Sequence, residues 1–388
     1  MNSGTTPTRE PLGQCPGATR MGAVPGCHET GAVPGDYENG AVLHFSASQP
    51  LSLSAGAKRP ASQLLSFSAS QLYSISACAR TTWLEAIQQP VAFLMAFVSV
   101  AITLLVPVFE FHHFGEEGRL ARDSGLSCLL LFGLVLAIGT AGRSVAGEIE
   151  SGTAAAVIGK PVSRFTFVLA KWLGGFGVVA FYAVAQIAAI LIAERSSAHF
   201  VAQGDYVGDI TDWWGVALGI GGLLLSLAIG AFAHYYWRWR FGVTVFVSLA
   251  VSQLVAAAGT QLTNHWVVMD FRVVPVALLV LAALAVFSSL ATALATRLKS
   301  GPTFALCFVV LLLGLAGDAL FGNAPAFSWR GMLSGVLPDL QNFWMCDAIA
   351  HGGRIGWRYL LEAAATALTT CAVFLCLGGW LFSHRDLG

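Results

Sequence analysis

The sequence predicts an all-α fold, a polytopic transmembrane bundle of about eight spans with a cytoplasmic helix between spans two and three. Of 388 residues, 56% are hydrophobic and only 11% are charged, and the mean hydropathy is +0.69. Soluble domains carry about 25% charged residues, so this composition is typical of an integral membrane protein. The apolar residues form runs that, at about 1.5 Å per residue, can cross a hydrocarbon core about 30 Å thick.

Eight apolar runs meet this length requirement. Trp213 and Trp214 precede the fourth run and are typical of the aromatic belt at a membrane interface. A tight basic turn at 237–240 separates the fourth run from the fifth. The predicted spans are 91–111, 125–142, 172–193, 215–236, 241–259, 273–296, 302–321 and 359–382.

The first 79 residues differ from the rest of the chain. They are rich in Gly, Pro and Ser, and the segment 45–55 recurs in similar form at 67–77. Such low-complexity repeats carry too little apolar bulk to form a core, so we expect a disordered tail, and a start codon assigned too far upstream would explain it. Residues 80–388 are then the membrane domain. A capping-box pattern at 82–85 predicts that a short amphipathic helix begins there and ends near Gln89.

Basic residues favour one orientation of these spans. An excess of Lys and Arg next to a span marks its cytoplasmic end. We expect the protein to lie in the plasma membrane with both termini in the cytoplasm. In this orientation the following basic residues lie on the cytoplasmic side: Lys160, Arg164, Lys171, Arg238, Arg240, Arg297, Lys299 and Arg385. The formal net charge is zero, which gives no electrostatic argument for a nucleic-acid partner.

The sequence contains no complete catalytic or nucleotide-binding motif. Gly152 and Gly159-Lys160 superficially resemble a phosphate loop, but the glycine spacing is too long and Pro161 follows the lysine where Ser or Thr is needed. The cysteines lack metal-ligand spacing and are interpreted as small hydrophobic residues. We therefore expect no cofactor bound by this chain.

The segment 143–171 is the longest charged interval between two apolar runs that keeps helical periodicity. Residues 148–153 read Glu-Ile-Glu-Ser-Gly-Thr, and residues 160–164 read Lys-Pro-Val-Ser-Arg. This pattern predicts a short interfacial helix along the inner face, a turn at 159–161, and a new helix that enters the membrane.

These residues resemble the cytoplasmic loop after the second helix in permease subunits of type-2 ABC transporters. The segments 336–343 and 382–387 also resemble the closing region of that family, and the resemblance extends over residues 81–388. The family core has about six spans, so spans five and six are additional here.

The resemblance implies a permease, an exporter by this reading, that works beside a second permease copy in the lipid bilayer. A separate ATP-binding subunit would bind ATP and Mg, so this chain would not itself be an enzyme. The interfacial helix would be the coupling helix that contacts this subunit. The contact residues implied are Glu148, Glu150, Ser151, Gly152, Thr153, Lys160, Pro161 and Arg164.

Two other functions stay open from the residues themselves. The pair Glu116 and Glu117, together with His112 and His113, could serve a membrane-embedded hydrolase or transferase, although a solvated charge cluster explains the same residues. A passive membrane scaffold is the other possibility.

Overall fold

The structure is a computed structural model that describes residues 61–109, 118–152, 163–203, 206–263, 269–317, 340–350 and 353–384. Eleven α-helices, one π-helical turn and one two-stranded sheet are formed by these residues. The helices are α1 Ala61–Ile87, α2 Pro90–Phe109, α3 Arg119–Ala141, α4 Glu148–Glu150, α5 Arg164–Ser196, α6 Trp213–Trp237, α7 Phe241–Thr263, α8 Val273–Ala295, α9 Ser300–Leu315, α10 Cys346–Ala350 and α11 Trp357–Ser383.

The predicted helical membrane bundle is confirmed. Seven helical segments of the described chain are long and apolar enough to span a membrane, and one of them joins α3, the π-helical turn Gly142–Gly147 and α4. The eighth apolar helix, α9, has 16 described residues and is shorter than a full span. Seven of the eight predicted spans coincide with these helices, because an apolar run long enough to cross the bilayer core can be recognised from the sequence.

Helix α5 lies at the centre of the bundle and packs against α1, α2, α3, α6, α7, α8 and α11. Helices α3, α5 and α8 are the most enclosed spans, and α11 is the least. We call the membrane face at which α5 begins the Lys171 end, and the face at which it ends the Arg195 end. The turn 238–240 between α6 and α7 and the end of α11 lie at the Lys171 end, while α11 begins at the Arg195 end.

Small residues allow these helices to approach closely, as expected of packing in lipid. A Cβ atom added to Gly174 would lie 2.7 Å from the Thr82 side chain, and one added to Gly378 would lie 2.9 Å from the Ala293 backbone. The first contact brings α1 onto α5, and the second brings α11 onto α8. The sequence-based assignment of the span glycines to helix packing is therefore supported at these positions.

The predicted start of the amphipathic helix at Thr82 is wrong. Helix α1 begins at Ala61, inside the segment that we expected to be a disordered tail, and Thr82 lies in its interior with 0% exposure. The Thr82 hydroxyl donates a hydrogen bond to the Cys78 carbonyl at 3.0 Å, one helical turn earlier. A Thr that bonds back in this way cannot serve as an N-cap, and the capping-box pattern alone does not distinguish the two uses. Residues 1–60 lie outside the described residues, and the expectation for them stays a prediction.

The loop between α5 and α6 contains the one sheet of the described chain. Strands β1 His199–Gln203 and β2 Tyr206–Ile210 pair antiparallel, with His199 opposite Ile210 and Gln203 opposite Tyr206. The sequence analysis treated this segment as a polar loop. The hairpin lies beyond the end of a span, so the membrane bundle itself remains helical.

A neutral hydrogen-bond network joins α2, α3 and α5 inside the bundle. Tyr182 and Ser99 share a hydrogen bond of 2.7 Å between their hydroxyl oxygens, and Ser99 donates to the Gln186 carbonyl oxygen at 3.0 Å. The Gln186 amide donates to the Thr103 hydroxyl at 2.7 Å and to the Gly125 carbonyl at 3.2 Å. Buried polar groups in lipid must find partners within the protein, and this network provides them without a charge.

Candidate functional site

The first half of the charged segment continues the second span instead of forming a separate interfacial helix. Helix α3 passes through the π-helical turn into α4, which ends at Glu150 and is followed by a turn at Gly152, whose φ of 72° is readily adopted by glycine. A Cβ atom added to Gly142 would lie 2.8 Å from the Ser300 hydroxyl, so this glycine lets the start of α9 approach the π-helical turn. The segment 153–162 lies outside the described residues, and the coupling helix stays a prediction.

Glu148 forms an ion pair with Lys171, which joins the end of α3 to α5. The Lys171 side chain is 4% exposed, and its ammonium nitrogen lies 5.6 Å from the centre of the Phe167 ring. Burial of an ammonium is costly unless a carboxylate and further polar or aromatic groups compensate it. Glu148 therefore supports the bundle internally, whereas the sequence prediction placed it on a contact surface for another subunit.

The thiol of Cys78 on α1 lies close enough to this ion pair to interact electrostatically with both Lys171 and Glu148. Burial raises the pKa of the Cys78 thiol above its ordinary value, and the nearby Lys171 ammonium opposes that effect. A thiol with a raised pKa is protonated at neutral pH and is a poor nucleophile. The position supplies packing between α1 and α5, not reactivity.

The turn that follows α4 is the exposed part of the site. Glu150 lies 3.9 Å from the Lys299 ammonium, and their side chains are 52% and 82% exposed. Ion pairs with this exposure contribute little to stability. Ser151 and Gly152 are also exposed, so three of the predicted contact residues form a surface that another protein can reach. We call residues 150–152 the exposed turn.

Arg164 closes the end of the last span. It is the first residue of α5, where the Ser163 hydroxyl accepts a hydrogen bond from the Thr166 backbone N–H at 3.0 Å and caps the helix. The Arg164 guanidinium donates hydrogen bonds of 2.9 Å to the carbonyls of Phe382 and Ser383 at the C-terminal end of α11, where helix carbonyls need capping partners. The guanidinium of this predicted contact residue thus already has hydrogen-bond acceptors within its own chain.

The predicted contact residues that the structure describes therefore fall into two groups, those that pair with other helices and those that are exposed. Glu148 and Arg164 hold helices together, and the exposed turn faces outward. Thr153, Lys160 and Pro161 lie outside the described residues. The sequence analysis missed Lys171 and Lys299 as partners because it used them only as markers of orientation. A lysine embedded between Ala170 and Trp172 was a signal that a carboxylate must be near it.

Ion pairs also occur at the Arg195 end. Arg122 lies 3.1 Å from Glu194, and Arg195 lies 3.6 Å from Asp212, with all four side chains at most 8% exposed. The Asp212 carboxylate also caps α6 through the Gly215 backbone N–H at 3.3 Å. These pairs fasten α3, α5 and α6 together where the hairpin leaves the bundle.

The residues of the alternative function, Glu116, Glu117, His112 and His113, lie outside the described residues. Within the described ranges, no group of three His, Cys, Asp or Glu side chains could hold a metal ion. The chemistry of the described site consists of charge pairing, helix capping and an exposed turn.

No protein-family model, no curated protein and no solved structure matches this chain.

Proposed function

We propose that this chain is the permease subunit of an ATP-driven ABC transporter, an exporter of the plasma membrane. One observation carries the proposal: the exposed turn follows a helix end that a buried ion pair joins to α5, and it lies beside the start of α9. Glu148, two residues before Glu150, pairs with Lys171 on α5. Lys299, which precedes α9, lies within 4 Å of Glu150.

These contacts suit a surface that receives motion from another subunit. A partner that displaces the exposed turn would displace α3 directly and α5 through the buried ion pair. Helix α11 would follow α5, because Arg164 holds its last turn. Packed helices move as rigid bodies, so a small displacement at a membrane face can be transmitted to the spans.

The energy for transport would come from a separate ATP-binding subunit, which would hold ATP and Mg. A second copy of the permease would complete the pathway. The Lys171 end would face the cytoplasm, because more exposed basic residues lie there than at the Arg195 end: Arg143, Arg238, Arg240, Arg297 and Lys299 against Arg272, Arg354 and Arg358. The transported substrate is not specified by the neutral, largely apolar interior of the bundle.

Photo-crosslinking at the exposed turn tests this function. A photoreactive amino acid at Ser151 should capture a protein that carries a phosphate loop and hydrolyses ATP after purification. The same amino acid at Arg358, which is exposed at the Arg195 end, serves as the control and should not capture it. Capture of no such ATPase at Ser151, or equal capture at both positions, would contradict the proposal.

A further inference from the structure

Two cavities meet at the Arg195 end of the bundle. One is an apolar groove of about 340 Å³ between α5 and α7, and the other is a polar pocket of about 580 Å³ at the start of α8 and α11. Met269 and Phe271 line both cavities, so the two are adjacent. Each volume falls in the range of about 300 to 1,000 Å³ that is typical of ligand sites.

The apolar groove runs along the surface of the spans. Its walls come from residues spaced three or four apart, Val184, Ile187, Ala188 and Leu191 on α5 and Leu254, Ala257, Ala258 and Gln261 on α7. At 1.5 Å per residue, each wall extends for about 10 Å along its helix. Val184 is 41% exposed and Leu254 is 49% exposed, so the groove opens towards lipid. A hydrocarbon chain can enter it from the bilayer without crossing water.

The polar pocket adds positive charge where the groove reaches the Arg195 end of the bundle. Arg272 is held by Asp270, with its Nη2 and Nε atoms 2.8 and 2.9 Å from the carboxylate oxygens. Although burial opposes the effect, hydrogen bonds and charge from Arg272 lower the pKa of Asp270, so the carboxylate stays ionised. Arg354 is exposed and makes no ion pair within the described ranges. Among the described residues that line the pocket, two guanidinium groups and one carboxylate give one excess positive charge.

The side chains of the pocket suit a phosphate group at a membrane interface. A guanidinium binds phosphate oxygens through paired N–H donors. Trp357, which is 75% exposed, lies three residues after Arg354, and tryptophan favours the level of the lipid head groups. From the bilayer interior towards water, the residues that line the two cavities are therefore first apolar, then aromatic and then basic.

We propose that this composite cavity binds one anionic phospholipid from the leaflet at the Arg195 end. One acyl chain lies in the apolar groove, and the phosphate binds Arg354 beside the Arg272–Asp270 pair. Met269 and Phe271 contact the lipid where the head group meets the chain. A zwitterionic phospholipid fits the groove equally well and offers the same phosphate, but its own cation offsets that charge, so the pocket keeps its excess positive charge. This site is independent of the transport function proposed above.

Lipid titration of the full chain tests the proposal. The detergent-solubilised protein is titrated with phosphatidylglycerol or phosphatidylcholine of the same chain length, and bound lipid is counted by native mass spectrometry. Phosphatidylglycerol should bind more tightly. Arg354→Ala should weaken its binding about tenfold, because one charged hydrogen-bonding partner is lost, and should weaken phosphatidylcholine binding less, because that lipid carries no net charge.

Matched variants separate the site from general surface effects. Arg358→Ala removes an exposed charge of the neighbouring helical turn that does not line the pocket and should not change binding. Ala258→Phe fills the groove and should weaken both lipids, whereas Val255→Phe, on the same helix outside the groove, should not. Equal affinity for the two lipids, equal effects of the two arginine variants, or equal effects of the two phenylalanine variants would overturn the proposal.

Discussion

Arg164 and Phe382 are 218 positions apart in the sequence, yet the Arg164 guanidinium lies 2.9 Å from the Phe382 carbonyl oxygen. The same nitrogen is 2.9 Å from the Ser383 carbonyl, and the guanidinium carbon is 5.9 Å from the centre of the Phe382 ring. The Phe382 ring also stacks on Phe167, with 5.6 Å between ring centres. The start of α5 and the end of α11 are thereby joined at the Lys171 end.

Replacing Arg164 by Gln should destabilise the protein. The variant loses charged hydrogen bonds to carbonyls at the negative end of the α11 dipole, and we expect a decrease of about 1.5 kcal/mol in the free energy of unfolding. Unfolding in increasing concentrations of sodium dodecyl sulfate would measure it. Arg143→Gln removes an exposed arginine of the same membrane face and should have little effect. Equal losses in the two variants would contradict the capping role.

Replacing Lys171 by Met should be more damaging, because it leaves the Glu148 carboxylate without the buried ammonium. We expect a loss of about 3 kcal/mol in the free energy of unfolding. The double variant Glu148→Gln, Lys171→Met should recover much of this loss, since both charges are gone. A double-mutant cycle measures the coupling energy.

The exposed pair Glu150 and Lys299 provides the matched comparison for this cycle. Its coupling energy should be about 0.5 kcal/mol or less, because both side chains are largely exposed. Similar coupling energies for the two pairs would show that burial of Lys171 does not govern the interaction.

Charge reversal at the exposed turn should change the interaction with a partner subunit and leave the stability of the fold unchanged. Glu150→Lys changes a side chain that is 52% exposed, so the free energy of unfolding should stay within about 0.5 kcal/mol of the original. If the turn receives an ATP-binding subunit, the ATPase activity of the reconstituted complex should lose its coupling to transport. Glu85→Lys reverses an exposed acidic residue of α1 and is the control. An unchanged complex with Glu150→Lys would argue against contact at the turn.

In the neutral network, removal of the Tyr182 hydroxyl should lower the free energy of unfolding less than removal of the Gln186 amide. Tyr182→Phe removes the hydroxyl that bonds to Ser99 and to the Cys128 carbonyl and should cost about 1.2 kcal/mol, from an average of about 0.6 kcal/mol for each hydrogen bond between membrane helices. Gln186→Leu removes the hydrogen bonds to Ser99, Thr103 and Gly125 and should cost about 2 kcal/mol.

The same detergent unfolding assay measures both variants of the network. Thr369→Val is the control, because its exposed hydroxyl only bonds back to the carbonyl of Thr366 within α11. A cost for Thr369→Val as large as that for Gln186→Leu would show that the network between helices adds no stability.

The sequence alone determined the membrane class and the approximate positions of the spans. Each apolar run reports its own length and hydrophobicity, and the bilayer thickness converts these local quantities into a span. The predicted span 241–259 and the helix Phe241–Thr263 agree for this reason. The glycines of the spans also indicated close packing, but not which helices they bring together.

Only the tertiary structure decided what the charged residues of 143–171 do. Glu148 and Arg164 look alike in the sequence as polar residues beside a span, but one reaches buried Lys171 and the other reaches the end of α11. Their partners depend on how α3, α5 and α11 pack, and that packing follows from close contacts such as Gly378 on Ala293. Hydropathy is a property of neighbours in the chain, whereas an ion pair requires two distant segments to meet, which is why only the folded bundle assigns these roles.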